Sequence, residues 1–422
     1  MEATRIRLAE GVHLTYLPAR KFKTSLLSAQ FVTPLRRETA GANALLAAVL
    51  RRGTVSCPDM GALSAKMDNL YDASIDYTVR KKGENQCVGF VASFIDDRYA
   101  PGGERLLEPA AALLGELVCD PVTYHGRFVP EYFESEKTNL LEAIRSLIND
   151  KRDWADSRLL RALCDGEAYA VPRLGDEETV DKLQALKVYT QYRDLISTAP
   201  LEIIYSGSAD LERVKQALAA AFATLPREEV RVISTAAPHV CRESVQHVED
   251  VLDVTQGKLG MGFSCGSDDV PALLMGNTLF GGSSNSKLFL NVREKLSLCY
   301  YASSLYHRQK GLITVSSGIE FQNYQRAYDE IMAQLEAVQK GELEDWELEG
   351  ARSTLLNSYA TVGDSQGKLE NFYLGQAATG QHETPADLAR AIQDMTAERI
   401  CRAMSTVKLD TVYFLKGKEV EA

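Results

Sequence analysis

The chain has 422 residues, of which 45% are apolar and 25% are charged, a composition typical of a globular protein of two or three domains. Its formal net charge of −11 argues against broad binding to nucleic acid or to anionic membranes. The eight cysteines form no C-x-x-C pair. We expect neither a secretory signal nor a membrane span, because residues 1–6 lack the pattern of a signal and no later run is long enough to cross a bilayer. We therefore expect a cytoplasmic protein with reduced thiols.

The first half of the chain predicts strands followed by helices. Apolar extended runs over 11–17 and 25–32 predict two strands. A helix over 39–51 follows, because its apolar residues fall on one face before Gly53. The further predicted elements are a helix over 59–70, strands over 73–79 and 86–94, helices over 104–118, 130–148 and 179–195, a strand over 201–206 and a helix over 210–224.

The second half repeats this order of elements. Periodicity is lost over 226–245, which predicts a linker between domains spanning 1–225 and 246–422. Beyond it the predicted elements are a strand over 255–263, helices over 270–280 and 287–294, strands over 300–306 and 312–318, and further helices. The shared order predicts a duplicated α+β unit, each copy a mostly antiparallel sheet covered by helices.

Residues 38–54 carry a recognisable frame with the sequence E-T-A-G-A-N-A-L-L-A-A-V-L-R-R-G-T. This run resembles the signature of the insulinase/pitrilysin zinc metallopeptidase family, which includes the mitochondrial processing peptidases. In the family, E-T-A-G precedes the zinc motif H-x-x-E-H. Here Ala44 and Ala48 stand at the histidine positions and Ala47 at the position of the water-activating glutamate. Alanine can neither bind zinc nor activate water.

The third zinc ligand of the family has its counterpart in residues 136–144. In that register Glu136 matches an outer-shell acid and Ala143 replaces the ligand, although the adjacent Glu142 leaves a shift of one residue open. No two histidines have the spacing of a helical zinc motif, and no G-x-S-x-G elbow is present. We therefore expect neither a metal nor another cofactor.

The second half carries a different part of the family pattern. A glycine turn at 281–282 and a helix lead to Arg293, and Tyr300 follows seven residues later. This resembles the motif in which an Arg/Tyr pair reaches across to the zinc-bearing half and holds the substrate backbone. Both side chains are strong donors to a peptide carbonyl. Outside the family frame, such residues are usually solvated or packed, and Tyr301 is an alternative to Tyr300.

The resemblance implies two domains that face each other across a cleft. Because some bacterial members are split into two chains, it also implies a non-catalytic subunit that binds peptide and completes the active site of a zinc-bearing insulinase-family partner, as a heterodimer. One alternative is a stand-alone or homodimeric peptide-binding protein. The other is a metallopeptidase with an unconventional metal site. Neither nucleic acid nor membrane is an expected partner.

Overall fold

The computed structural model describes residues 3–233 and 238–418 and has the predicted α+β class. The first half contains β1 (Thr4–Ala9), β2 (Val12–Pro18), β3 (Thr24–Pro34), α1 (Arg37–Leu50), α2 (Met60–Asp68), β4 (Ser74–Lys82), β5 (Asn85–Ile95), α3 (Leu107–Cys119), β6 (Thr123–Tyr124), β7 (Arg127–Phe128), α4 (Pro130–Ser146), α5 (Lys151–Leu163), α6 (Glu177–Asp181), α7 (Ala185–Thr198), β8 (Leu201–Gly207) and α8 (Leu211–Ala221).

The second half contains β9 (Gln246–Leu252), β10 (Gly257–Cys265), α9 (Val270–Asn277), β11 (Cys299–His307), β12 (Leu312–Ile319), α10 (Tyr324–Lys340), α11 (Asp345–Val362), α12 (Gln366–Ala378), α13 (Pro385–Gln393), α14 (Ala397–Met404) and β13 (Val407–Gly417). Two π-helical segments, Thr278–Gly282 and Leu288–Lys295, lie between α9 and β11. Within the described ranges, no helix has the length and apolar character needed to cross a bilayer.

Most predicted elements lie within a few residues of the observed ones. The helix predicted over 179–195 is divided into α6 and α7, because Gln184 is extended, with φ −124° and ψ 147°, and begins a new helix. Helix α5 and strands β1, β6, β7, β9 and β13 were not predicted.

The described residues form two compact units. Unit 1 comprises 3–145, 171–233 and 363–382. Unit 2 comprises 146–170, 238–362 and 383–418. The units are therefore not the continuous stretches 1–225 and 246–422, because α5 belongs to unit 2 and α12 to unit 1. Residues 234–237 of the predicted linker lie outside the described residues.

The two sheets share one topology. Unit 1 has the strand order β1-β2-β8-β3-β5-β4, in which only β2 and β8 are parallel neighbours. Unit 2 has the order β11-β12-β10-β13-β9, in which only β13 and β9 are parallel neighbours. Read in reverse, the order in unit 2 is β9-β13-β10-β12-β11, and it corresponds strand by strand to β2-β8-β3-β5-β4 in unit 1. The mostly antiparallel sheets and the common order agree with the predicted duplication.

Helix α5 packs on β10 and β13 of unit 2. Glycines on β10 permit the close approach, because a β-carbon at Gly262 would lie 2.7 Å from Leu163 Cδ2 and one at Gly260 would lie 3.2 Å from a Leu159 methyl. Arg158 adds a two-pronged ion pair with Asp250 of β9, at 2.7 and 3.2 Å. These contacts explain why α5 is part of unit 2.

Helix α12 takes the corresponding place in unit 1, on β3 and β8. Its Glu370 carboxylate is buried and accepts hydrogen bonds from Ser28 Oγ at 2.7 Å and from two Arg80 nitrogens at 2.6 and 2.7 Å. Gln366 Nε2 donates to the Ser206 carbonyl at 2.8 Å. Since β3 and β8 correspond to β10 and β13, each half of the chain contributes one helix to the sheet formed by the other half.

Candidate functional site

The positions of the degenerate zinc motif lie on α1 and α4 in unit 1. Helix α1 is buried along nearly its whole length, as expected for a helix apolar on all sides. All three alanines are buried, and Ala44 and Ala47 belong to the apolar core. Ala44 and Ala48 also border a cavity. Ala143 of α4 lines the same cavity, and Glu142 is not among the residues that form its wall.

This cavity has a volume of about 760 Å³, within the range of ligand sites in proteins. Alanine methyl groups stand where active members of the family have zinc ligands, so space is open where those longer side chains would be. The other lining residues are Tyr77, Thr78, Val79, Arg80, Lys81, Lys82, Glu136, Asn139, Leu140, Arg173, Leu174 and Asn371.

The cavity wall is basic. Among the described residues that line it, four are arginine or lysine and only Glu136 is acidic. Glu136 is ion-paired with Arg52 and accepts a hydrogen bond from Asn139 Nδ2 at 3.2 Å. A dication would meet a positive potential and no suitable donor set. The residues present therefore do not fit a catalytic zinc.

The edge of the sheet borders this cavity. β4 is one of the two outermost strands of the unit 1 sheet, and residues 77–82 of it line the cavity. Two of its carbonyls accept hydrogen bonds from side chains, Ile75 from Arg51 Nε at 2.5 Å and Val79 from Arg173 Nη1 at 3.1 Å. The arginines thus cover two backbone acceptors of an edge strand.

Arg293 and Tyr300 lie together in unit 2. Arg293 is part of the π-helical segment Leu288–Lys295, and its Nε donates to the Tyr300 carbonyl at 3.1 Å. Its guanidinium lies 4.7 Å from the centre of the Phe289 ring, and Nη1 is 3.2 Å from a Glu294 carboxylate oxygen. The Arg293 side chain stays 40% exposed, so it is held in place and still reaches solvent.

Tyr300 is the extra residue of a β-bulge in β11. Its neighbours Cys299 and Tyr301 are paired with consecutive residues of β12, and Tyr300 itself has no partner in that register. Bulges redirect a side chain out of the regular alternation. The Tyr300 side chain is 59% exposed and its phenol donates to Glu320. This hydrogen bond to a carboxylate raises the pKa of the Tyr300 phenol.

Tyr301, the alternative to Tyr300, packs against the sheet. The Arg152 guanidinium lies 4.3 Å from the centre of its ring. A β-carbon on Gly318 of the neighbouring strand would lie 2.5 Å from the same ring. Tyr301 also lines one of the cavities that Arg293 and Tyr300 border, but Tyr300 is the tyrosine whose carbonyl accepts a hydrogen bond from Arg293.

Backbone irregularities surround the Arg293–Tyr300 pair. Besides the two π-helical segments and the bulge, Ser297 adopts a left-handed conformation with φ 51°. Such features are uncommon and are concentrated at functional sites. Two adjoining cavities of about 450 Å³ each are lined by both Arg293 and Tyr300.

Sequence analysis did not identify Glu320, Phe289 or the basic wall of the unit 1 cavity. Glu320 meets Tyr300 only through the pairing of β11 with β12, and no local pattern indicates that pairing. The basic wall had a local signal, since 80–82 is a run of three basic residues at the end of a predicted strand.

A third cluster, in unit 2, bears on a possible unconventional metal site. Among the described residues, Cys164, Glu167 and His239 bring potential metal-ligand atoms within 4.8 Å of one another. However, His239 Nδ1 faces Glu167 at 2.5 Å and its Nε2 faces Asp410 at 3.2 Å. Lys310 is ion-paired with Glu167. The cluster is therefore built as an ion-pair network, and a metal ion entering it would have to displace these contacts.

Comparison with known proteins agrees with these features. The family described as the peptidase M16 inactive domain matches residues 182–355. The chain is 34% identical over 416 residues to the probable inactive metalloprotease YmfF of Bacillus subtilis (strain 168), covering 97% of this chain and 96% of that protein. It is 22% identical over 325 residues to the uncharacterized zinc protease YmxG of the same organism, covering 74% and 76%.

Solved structures show the same fold. A conserved protein from Enterococcus faecalis V583 aligns over 100% of both chains with a TM-score of 0.90 and 26% identity. A peptidase M16 inactive domain from Pseudomonas fluorescens aligns over 100% of this chain and 99% of that chain with a TM-score of 0.81 and 18% identity. With alanines at its zinc-motif positions, the chain belongs to the M16, or insulinase, family of metallopeptidases as an inactive member.

Proposed function

We propose that this chain is the non-catalytic subunit of a two-chain M16 peptidase. It binds peptide and supplies Arg293 and Tyr300 to the active site of a zinc-bearing partner. The observation that carries the proposal is the exposed Arg293–Tyr300 pair, formed by a π-helical segment and a β-bulge, in a chain whose own zinc positions are alanine. A chain kept only as a scaffold has no need of this costly local backbone.

The pair suits a peptide substrate chemically. A guanidinium and a phenol both donate strong hydrogen bonds, and donors aimed at a reacting carbonyl stabilise the charge that develops on its oxygen. In the isolated chain, Arg293 bonds to the Tyr300 carbonyl and Tyr300 to Glu320. Both contacts hold the side chains close to solvent. A substrate bound to the partner can replace the present acceptors of these hydrogen bonds.

Two further observations support a peptide-binding, partner-dependent role. The edge strand β4 beside the unit 1 cavity is a surface to which an extended peptide can add as a strand. Bacillus subtilis contains relatives named as an inactive metalloprotease and as a zinc protease, so one bacterium has both kinds of chain. We place the pair in the cytoplasm, since none of the eight cysteines, all in the described ranges, forms a disulfide.

The test begins with co-purification of the tagged chain from its native host. We expect a second M16 chain with an intact H-x-x-E-H motif in the complex. Recovery of the chain alone or as a homodimer would instead favour a stand-alone peptide-binding protein, and stoichiometric zinc with chelator-sensitive cleavage by this chain alone would favour an unconventional metallopeptidase.

Arg293→Ala and Tyr300→Phe are then assayed in the reconstituted complex with a peptide that contains no acidic residue. Each should lower turnover by about 10²–10³-fold, the usual effect of losing one such donor. Arg390→Ala is the matched control, because Arg390 is 73% exposed in unit 2 and its ion pair with Asp387 lies at the surface. Unchanged turnover for both site variants, with stability and assembly intact, would reduce this chain to a structural partner.

A further inference from the structure

We propose that the unit 1 cavity beside Ala44 and Ala48 binds a carboxylate group of an acidic peptide. The cavity lies where active members of the family hold a zinc cation, and in this proposal it binds an anion instead. This inference rests on the proposed function, because it names the class of peptide that such a subunit would hold.

Two cations in the cavity wall lack an acidic partner. Lys82 Nζ donates to the side-chain and backbone oxygens of Asn371, at 2.7 and 3.3 Å, and both acceptors are neutral. Arg173 donates to the Val79 carbonyl, also neutral. Neither cation has a carboxylate within ion-pair distance in the part of the chain that the structure describes. Burial lowers the pKa of Lys82, as expected for a partly desolvated cation, and the nearby Glu370 opposes this shift without removing it.

Arg80 completes the basic wall. Its two terminal nitrogens are used by the buried Glu370, while its Nε is buried and has no hydrogen-bond partner among the described residues. An unsatisfied buried donor is costly, and a ligand oxygen can relieve that cost. A carboxylate entering the cavity would gain charge-assisted hydrogen bonds, which are stronger than those between neutral groups.

The position of the cavity favours a peptide as the source of the carboxylate. Its wall includes residues 77–82 of the edge strand β4, where a peptide backbone can pair at groups other than the Val79 carbonyl, which already accepts from Arg173. The alanines leave room for an acidic side chain or for a chain terminus. The whole chain has a net charge of −11, so the basic cavity is a local feature and does not reflect general attraction to anions.

The experiment measures binding of short fluorescent peptides to the full chain by anisotropy at low ionic strength. One peptide carries a central aspartate between acetylated and amidated ends, and a second carries asparagine in its place. A third has asparagine and a free terminal carboxylate, which separates the two sources of the group. We expect at least one carboxylate-bearing peptide to bind about tenfold or more tightly than the neutral one.

The variant Lys82→Gln with Arg173→Gln should abolish this preference, and Lys82→Gln alone should weaken it. The control is Lys187→Gln with Arg193→Gln, which removes two exposed cations from α7 of the same unit and should leave the preference intact. Equal affinity for all three peptides, no binding, or a preference that survives the cavity variants would overturn the proposal. None of these outcomes affects the turnover test of Arg293 and Tyr300, which uses a peptide without acidic residues.

Discussion

Ala44 and Ala48 border open space, whereas Ala47 is enclosed by the apolar side chains of the unit 1 core. A histidine at either of the first two positions can extend into the cavity, but a glutamate at the third would place a carboxylate where a methyl group now packs. Burial of such a group without partners is unfavourable. The core is thus closed around one of the three motif positions.

We therefore expect the triple variant Ala44→His, Ala47→Glu, Ala48→His to regain neither stoichiometric zinc nor peptidase activity. Two imidazoles lack the third ligand, and the basic wall opposes a dication. The measurements are metal content after desalting and peptide cleavage. Ala47→Glu alone should lower the melting temperature more than Ala44→His alone. If the triple variant retains one zinc per chain, the cavity is more tolerant of cations than its wall indicates.

The Tyr300 phenol offers a separate test of the second site. Its hydrogen bond to the Glu320 carboxylate raises its pKa above the ordinary tyrosine value of about 10. The phenol is therefore a protonated donor at neutral pH. Glu320→Gln should lower the pKa, and fluorine NMR of a fluorotyrosine placed at position 300 would measure the change. Glu294→Gln, which removes a carboxylate beside Arg293, should leave that pKa unchanged. A Tyr300 pKa insensitive to Glu320→Gln would contradict the contact.

At the scale of elements, α5 depends on glycines in the strand beneath it. Gly262→Ala places a methyl group 2.7 Å from the buried Leu163, while Gly266→Ala meets its nearest neighbour, Thr406, at an ordinary 3.4 Å. Both changes restrict the unfolded chain alike, so the difference between the unfolding free energies of the two variants reports on the packing of α5. In denaturant unfolding, the Gly262→Ala variant should be less stable than the Gly266→Ala variant by about 1–3 kcal/mol. Equal stability would show that Leu163 moves aside without cost.

Strand and helix periodicity predicted most elements, and the family resemblance of the second half named Arg293 and Tyr300, which lie in hydrogen-bond contact in the structure. These signals are local. Local signals could not predict that α5 belongs to unit 2 and α12 to unit 1. These assignments depend on contacts of Gly262 and Glu370 with residues far away in the chain. The same holds for Glu320 and for the choice between Ala143 and Glu142, which requires the position of α4 relative to α1.

At the scale of the whole molecule, the exchanged helices mean that neither half of the chain contains a complete unit. A fragment of residues 1–233 lacks α12 and therefore Glu370, the buried partner of Arg80. Breaking a buried ion pair can cost about 3–5 kcal/mol, a large part of the roughly 5–15 kcal/mol that stabilises a typical domain. The same fragment leaves the apolar face of α5 without the β10 sheet that covers it.

We expect fragments 1–233 and 238–422, expressed separately, to be poorly soluble or to melt without a cooperative transition. Mixed or co-expressed, they should form a one-to-one complex with the circular dichroism of the intact chain, because each then supplies the helix that the other lacks. Chromatography with light scattering measures the association, and thermal unfolding measures the cooperativity. The Gly262→Ala change, carried in the second fragment, should weaken the complex more than Gly266→Ala does. Fragments that each melt cooperatively near the temperature of the intact chain and do not associate would mean that α5 and α12 are dispensable to both units.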